Sequence, residues 1–468
     1  MGRMQTASKV ESNDQWASRE FSGAVFPDQR LVKRLIKIAS NFARSPSGSL
    51  PKASGSWKEA KGAYRFFDNE GVSVQAILRP HQEQTGQRAA AQKTVLVVQD
   101  TTGLNFQSHP ATQGLGLLGA GRKGALGMWL HSSLAFTPDG AALGVMAVDW
   151  WVRDPKDFGK AAQRHRRPIE DKESLRWLKS YQATVQWAQE NPGTRFVNIS
   201  DREGDLYELF VLGAQHPKTG VLVRARHERK DSSGASFTAL LAREKPAGTM
   251  TLEVPRQPGQ PVRSAKLAVK YISVTLKAPQ RSPSPERPVC LWIVEAQEVL
   301  PAGNRQKPLC WRLLTNVPVT DFNSAVEKIQ WYGQRWSIEE FHRILKSGCG
   351  VEDRQLETVE RLSKIIMVDL LVAWRVLELT RAARKAESIK AEQYFGPDEL
   401  AVLKQLQRKK GQVVPPEVTV REVVRLVAQL GGFLARKGDG EPGSMTLWRG
   451  LEQLSQLTLG YQLAKLCG

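Results

Sequence analysis

Leu31, Leu35, Ile38 and Phe42 recur at steps of three and four, the spacing of one buried helix face. Arg30, Lys33, Arg34, Lys37 and Arg44 occupy the remaining positions. The loop Ser45-Pro-Ser-Gly-Ser-Leu-Pro51 breaks the pattern, and a second helical stretch begins at Trp57. Residues 28–69 therefore read as a small helical module. Ahead of it, Met1 to Glu20 is polar and reads as a frayed terminus.

The period then changes. Thr94–Val98 is a short apolar run of β-forming residues that ends in Gln99-Asp100. Met128–Thr137 and Ala142–Val152 read as two more strands, with Pro138-Asp-Gly140 as the turn between them. Leu175, Leu178, Val185 and Ala188 mark a helix over Asp171–Glu190. Arg195–Ser200 reads as a strand ending at Asp201, Gly204–Leu212 as a helix and Val221–Arg226 as a strand. The order β-β-β-α-β-α-β predicts an α/β, RNase H-like domain, a mixed sheet covered by helices. Residues 229–306 are rich in Pro, Arg and Ser, with short strand-like runs, and read as an inserted β subdomain. Helical periodicity returns at Asp321 and continues to the end of the chain.

One helical segment carries chemistry as well as periodicity. It is Trp331-Tyr-Gly-Gln-Arg-Trp-Ser-Ile-Glu-Glu-Phe-His-Arg-Ile-Leu-Lys346. With about 100° per residue, Tyr332, Arg335, Glu339 and Lys346 fall near 0°, −60°, −20° and −40°, on one stripe. Phe341, Ile344 and Leu345 face away from it, toward a core. A carboxylate flanked by two cations and a phenol suits chemistry on a nucleic-acid backbone. A solvated face laced with i,i+4 pairs would have the same composition.

Charge strengthens the first reading. The 468 residues include 67 Lys or Arg against 47 Asp or Glu, a net charge of +20, and point to a polyanionic partner. From Arg30 to Arg65, nine basic residues face the single acid Glu59, so the helical module reads as a DNA-docking head. No apolar run is long enough to span a bilayer, and no signal-like segment opens the chain. The expectation is a cytoplasmic protein without membrane contact, nucleoid-associated when acting. The four cysteines lack CxxC spacing and the seven histidines form no HxxxH pair. A metal, if used, must therefore be held by oxygen, which favours Mg²⁺ or Mn²⁺.

Three carboxylates can supply that oxygen. Asp100 and Asp201 each follow a strand, and Glu339 arrives on the helix after the insertion. Strand ends of such sheets share one rim. Two divalent ions held there would serve an in-line displacement at phosphorus. Asp149, Asp154, Glu203, Asp205 and Glu340 are the rival acids, and Glu340 lies about 100° off the stripe.

Gln99-Asp-Thr-Thr-Gly-Leu-Asn105, Ser200-Asp-Arg-Glu-Gly-Asp205 and Tyr332-x₂-Arg335-x₃-Glu339-x₆-Lys346 resemble the three signature regions of bacterial cut-and-paste DDE transposases. The similarity is to the hairpin-forming type carried by kanamycin-resistance composite transposons, with its Tyr-Arg-Glu-Lys signature. Gly62-Ala-Tyr-Arg-Phe66, Trp311-Arg-Leu-Leu-Thr315, Gly431-Gly-Phe433 and Leu447-Trp448 extend it over almost the whole chain.

The resemblance implies that Asp100, Asp201 and Glu339 bind two Mg²⁺ per active site, with Mn²⁺ as substitute. It implies that Tyr332, Arg335 and Lys346 hold the terminal phosphates, that Trp311 stacks on a flipped base and that Trp336 lines the same pocket. An apolar strand would equally make Trp311 an ordinary core residue. Arg34, Arg44 and Arg65 fall at end-recognition positions. The implied partners are double-stranded DNA, as transposon inverted ends and as target, and a second copy of the chain in a synaptic homodimer whose subunits cut in trans. The implied domains are an N-terminal helical DNA-binding domain over 1–75, the catalytic domain over 76–384 and a C-terminal helical dimerisation region over 385–468. Val423, Val424, Leu426, Val427 and Leu430 are the expected contact surface of that region. The implied reaction is end cleavage through a hairpin intermediate and joining of 3′ ends to target. A catalytically silent end-binding protein or transposition inhibitor of the same fold is the alternative, and a plain nuclease without strand transfer is a third reading.

Overall fold

The computed structural model describes residues 13–119, 124–154, 168–254, 263–279, 288–301, 308–385, 389–409, 411 and 417–467. Five helices come first: α1 (Asn13–Phe21), α2 (Gln29–Arg44), α3 (Leu50–Ser54), α4 (Trp57–Asp68) and α5 (Val74–Ala90). Asp28, Ser56 and Ser73 cap α2, α4 and α5, each side chain accepting from a backbone N–H of the first turn. The described part of the expected frayed terminus is packed instead. Trp16, Ala17 and Phe21 of α1 are buried. The buried Glu20 accepts from Arg88 at 2.9 Å and bonds His81 Nδ1 at 2.6 Å. Residues 1–12 lie outside the described residues.

The strands are β1 (Thr94–Asn105), β2 (Gly116–Leu117), β3 (Leu126–Phe136) and β4 (Ala142–Trp151). Then come α6 (Leu175–Glu190), β5 (Arg195–Ser200), α7 (Tyr207–Gln215), β6 (Gly220–Arg224) and α8 (Phe237–Arg243). The remaining strands are β7 (Gly248–Val254), β8 (Arg263–Thr275), β9 (Cys290–Glu298) and β10 (Cys310–Thr315). All ten join one mixed sheet in the order β2-β3-β1-β5-β6-β10-β9-β8-β7, with β4 also on β3. Among the named strands of the described residues, β1/β5 and β5/β6 are the pairs that run parallel. The predicted inserted subdomain is thus not a separate sheet. Its strands extend the main one, because β10 returns antiparallel to the otherwise open edge of β6 and β9 pairs with β10.

The last helices are α9 (Phe322–Gly333), α10 (Trp336–Arg343), α11 (Val359–Lys385), α12 (Pro397–Lys409), α13 (Val420–Leu430) and α14 (Ser444–Cys467). The segment expected as one straight helix over 331–346 is broken twice. Gln334 and Arg335 make turn bonds back to Trp331 and Tyr332. Past Arg343 the backbone widens into a π-turn, Ile344–Gly348, closed by Cys349 N–H on Ile344 O. One apolar core runs from Trp16 of the head through α11, whose Leu370, Leu371, Trp374 and Leu377 are buried, to Leu454 of α14.

Candidate active site

Asp100 and Asp201 are brought together by register. Val98 pairs with Ile199 in the parallel β1/β5 ladder, so two residues further on Asp100 stands beside Asp201. Asp100 does not follow its strand, as the sequence suggests. It lies inside β1, where the parallel partner ends and burial loosens. Asp201 follows β5 directly and caps a short 3₁₀ turn, accepting from Glu203 N–H at 2.8 Å. Asp100 accepts from Thr101 N–H at 2.7 Å.

Glu339 completes the group from α10. Arg335 bridges the acids, donating to Glu339 and standing 3.5 Å from Asp100 Oδ2. Burial pushes the Asp100 carboxyl up to about 7, and the charges of Asp201 and Glu339 push the same way against Thr101 N–H and Arg335. The site thus attracts positive charge. Its donors are all carboxylate oxygen, the set a hard divalent cation takes. Among the described residues no three His, Cys, Asp or Glu side chains stand in a closed metal-ligating cluster, and the Arg335 guanidinium spans two of these acids.

The other residues of the expected stripe reach the site by different routes. Tyr332 is buried, and Arg224 of β6 is in hydrogen-bonding contact with its hydroxyl. Burial raises that phenol, with the Asp201 charge adding to the effect and Arg335 and Arg224 opposing it. Lys346, on the π-turn, donates to Gly103 O of β1 at 2.6 Å and stands 3.7 Å from Glu352. Glu352 also accepts from Asn105 N–H at 2.8 Å, which ties the end of β1 to the turn. Trp311 is 7% exposed and meets Tyr332 edge-on, ring centroids 5.3 Å apart. It is placed as a core residue backing the phenol. Trp336 is 49% exposed, with Arg335 over its ring.

Four of the five rival acids pair with other cations. Glu340 pairs with Arg381 of α11 at 2.9 Å, Asp205 with Arg229 at 2.6 Å, Glu203 with Arg176 at 2.9 Å and Asp149 with Lys179 at 3.5 Å. In the head, Arg34 pairs with Glu59 at 2.6 Å, Arg44 ends α2 and Arg65 is exposed on α4. These three do not reach the acid site.

Sequence reasoning missed Arg224, although it ends the strand beside β5 and strand ends were the criterion. It also missed a buried polar layer behind the acids. Thr101 Oγ1 bonds His131 Nδ1 at 2.8 Å, His131 Nε2 bonds Gln99 Oε1 at 2.9 Å, and Gln99 donates to Asn198 at 2.5 Å. His342 bonds Ser132 at 2.9 Å. Burial holds His131 well below its usual value and His342 down at about 3, so both imidazoles are neutral. The histidines add dipoles but no charge, and the one cation that reaches the layer in these contacts, among the described residues, is Arg176, whose Nε–H donates to Thr101 Oγ1 at 2.8 Å.

Comparison with known proteins bears on the two ends of the chain. Residues 13–72 match the family model described as transposase DNA-binding, and residues 371–467 match the transposase Tn5 dimerisation domain. A cryo-EM structure of a piggyBac transposase synaptic complex with hairpin DNA aligns over 92% of this chain and 83% of that chain, at TM-score 0.39 and 11% identity. A likeness at that level says nothing about the site.

The chain thus carries a transposase DNA-binding domain and a Tn5-type dimerisation domain. The second match opens at residue 371, inside α11, rather than at 385. Val423, Val424 and Val427 are not the free surface expected of them. They are buried within the protomer, where α13 and α14 meet so closely that a Cβ on Gly450 would fall 1.8 Å from Val427 O. The exposed apolar residues lie further on, at Leu459, Leu463 and Leu466 of α14. Among the described residues no helix is long and apolar enough to cross a membrane.

Proposed function

We propose that the chain is an active DDE transposase that binds element ends through its head, cuts them at Asp100, Asp201 and Glu339, and joins the 3′ ends to target DNA. The observation that carries this reading is that Arg335 links Glu339 to Asp100, which the strand register sets beside Asp201, in a chain with transposase domains at both ends. Three antiparallel strands on one side of Asp100 and two parallel ones on the other support an RNase H-like catalytic domain.

Asp100, Asp201 and Glu339 would hold two Mg²⁺ ions, which supply Lewis acidity and an activated water or 3′-hydroxyl. Arg335 neutralises the acids until an incoming phosphate offers it a better partner, since a guanidinium suits either anion. Lys346, Tyr332 and Arg224 border the same rim and would orient the terminal phosphates. Trp336 is the aromatic open to a displaced base, and Trp311 sets the phenol from behind. A hairpin intermediate fits this pairing of phosphate grips with an aromatic face. Two copies joined through the dimerisation domain would let one head hold an end that the other catalytic centre cuts.

The test is cleavage of DNA bearing the element's own ends, with Mg²⁺, Mn²⁺, Ca²⁺ or EDTA, by the parent chain, Asp100→Asn and Glu339→Gln. Cutting by the parent in Mg²⁺ or Mn²⁺ alone, lost in both variants while end binding persists, is the expected result. End binding without cleavage in any metal would make the chain a silent end binder. Cleavage in EDTA would remove the metal mechanism.

A further inference from the structure

At the rim opposite the carboxylates, three neighbouring parallel strands each start beside a cation. Lys93 immediately precedes β1, Arg195 opens β5 and Lys218 stands two residues before β6. Arg195 N–H bonds Lys93 O at 2.9 Å, and Val197 pairs with Gly220 in the β5/β6 register. With adjacent strands about 4.8 Å apart, the three cations lie in a row along about 10 Å of edge. They line a groove of about 900 Å³, floored in part by Pro192, His216 and Pro217, and no carboxylate lines it. All three are exposed, and no carboxylate pairs with any of them among the described residues.

The helices α6 and α7 end at this groove, so their partial charges oppose an anion. Each contributes about −0.5, against three full positive charges. Asn191 Nδ2 also donates to Trp187 O at 3.0 Å, which spends one of the terminal carbonyls. Positive charge wins.

We propose that this groove is a second DNA-contact surface, taking the phosphate backbone of a duplex segment other than the one being cut. A row fits successive backbone phosphates, because a duplex carries about one charge per 1.7 Å of axis, roughly six over the same 10 Å. The six residues of β5 put the groove about 20 Å from Asp201, so one end cannot fill both places by its cleaved phosphate alone. The inference does not depend on the cleavage chemistry proposed above.

The test uses the full chain with Lys93→Glu, Arg195→Glu and Lys218→Glu combined. Its control reverses the exposed Lys245, Lys266 and Lys277 on the far part of the sheet. Affinity for a duplex without element ends is measured across a salt titration. The expected result is a fall of about 2–3 in the slope of log K against log salt for the groove variant, since each lost phosphate contact removes about 0.9. The control should keep the parental slope, and cleavage of a short end duplex should be retained by both. A parental slope in the groove variant, or an equal fall in the control, would overturn the proposal. Lys218→Cys carrying a photo-crosslinker, with Cys290, Cys310 and Cys467 replaced by Ser so that no other accessible thiol takes the reagent, gives an independent reading. It should label the duplex, and millimolar inorganic phosphate should not prevent this. No labelling, or labelling abolished by phosphate alone, would count against a backbone-binding groove.

Discussion

Replacing Arg354 by Met would break the joint between the head and the rest of the molecule. Arg354 is 3% exposed and grips Asp369 of α11 with two bonds, at 2.8 and 2.6 Å. It also donates to Gly48 O, Pro46 O and Cys349 O and lies over the Phe42 ring. Pro46 and Gly48 belong to the loop between α2 and α3, so this guanidinium links the head's helices to α11. Burial pushes the Asp369 carboxyl above its ordinary value, and Arg354 pulls it back. Without Arg354, the cheapest fate of that carboxyl is to take a proton. Holding a proton at pH 7 on a group of solution pKa about 3.9 costs about 4 kcal/mol, at 1.36 per unit, within the range of about 3–5 seen for broken buried pairs. At pH 5 the same cost is only about 1.5 kcal/mol. The sign follows from linkage: the variant's Asp369 has a folded pKa far above its unfolded one, so stability falls as pH rises above about 4. Chemical denaturation of parent and Arg354→Met at both pH values reads this directly. The penalty should shrink by about 3 kcal/mol at the lower pH, and Asp369→Leu added to the variant should recover part of the loss at pH 7. A penalty below about 1 kcal/mol, or one that is the same at both pH values, would refute the reasoning.

Glu339→Ala should abolish end cleavage with binding intact, whereas Glu340→Ala should keep cleavage and cost about 1–3 kcal/mol in a melting curve by orphaning Arg381; reversed behaviour would put the metal-binding face on the wrong side of α10. Burial pushes Glu378 up to about 7 from 4.5, with Arg19, Arg88 and Arg375 opposing, so its folded state loses stability as pH rises through that window. Glu378→Gln should therefore stabilise the chain by up to about 3 kcal/mol at pH 8 and by almost nothing below pH 5; a gain that ignores pH would exclude titration as the cause. Leu459→Glu with Leu463→Glu, on one exposed stripe of α14, should shift sedimentation toward monomer with an unchanged melting temperature, while Val424→Glu should unfold the C-terminal region. Dimers that survive the double substitution would move the interface elsewhere.

The pairing of Asp100 with Asp201 was within reach of the sequence because strand periodicity is local and parallel neighbours end at a common rim. That Glu339 and Glu340 face different neighbours was legible for a similar reason, and Glu339 meets Arg335. One residue of helix turns a side chain by about 100°, and the structure has Glu340 paired with α11. The straight stripe itself was not legible. Its two breaks are answered by contacts from elsewhere, with Lys346 bonded to β1 and Glu352, and no local signal specifies a π-turn.

Apolar spacing says which face of an element is covered and leaves open what covers it. Val423, Val424 and Val427 read as a contact surface because their periodicity is clear, yet α11 and α14 of the same protomer take that face and leave Leu459, Leu463 and Leu466 of α14 outside. The polar segment around Glu20 looked frayed because its partners, His81 and Arg88, lie more than sixty residues away. The strands of the insertion looked like a unit apart until β10 carried them onto the edge of β6. Local chain geometry, the head's charge and the parallel placement of Asp100 and Asp201 on neighbouring strands were determined by the sequence alone, whereas the extension of β1 past Asp100 was not. Which face meets which, where a buried charge finds its partner and where the sheet stops were decided by the tertiary structure, because each depends on groups that only packing brings within a few ångströms.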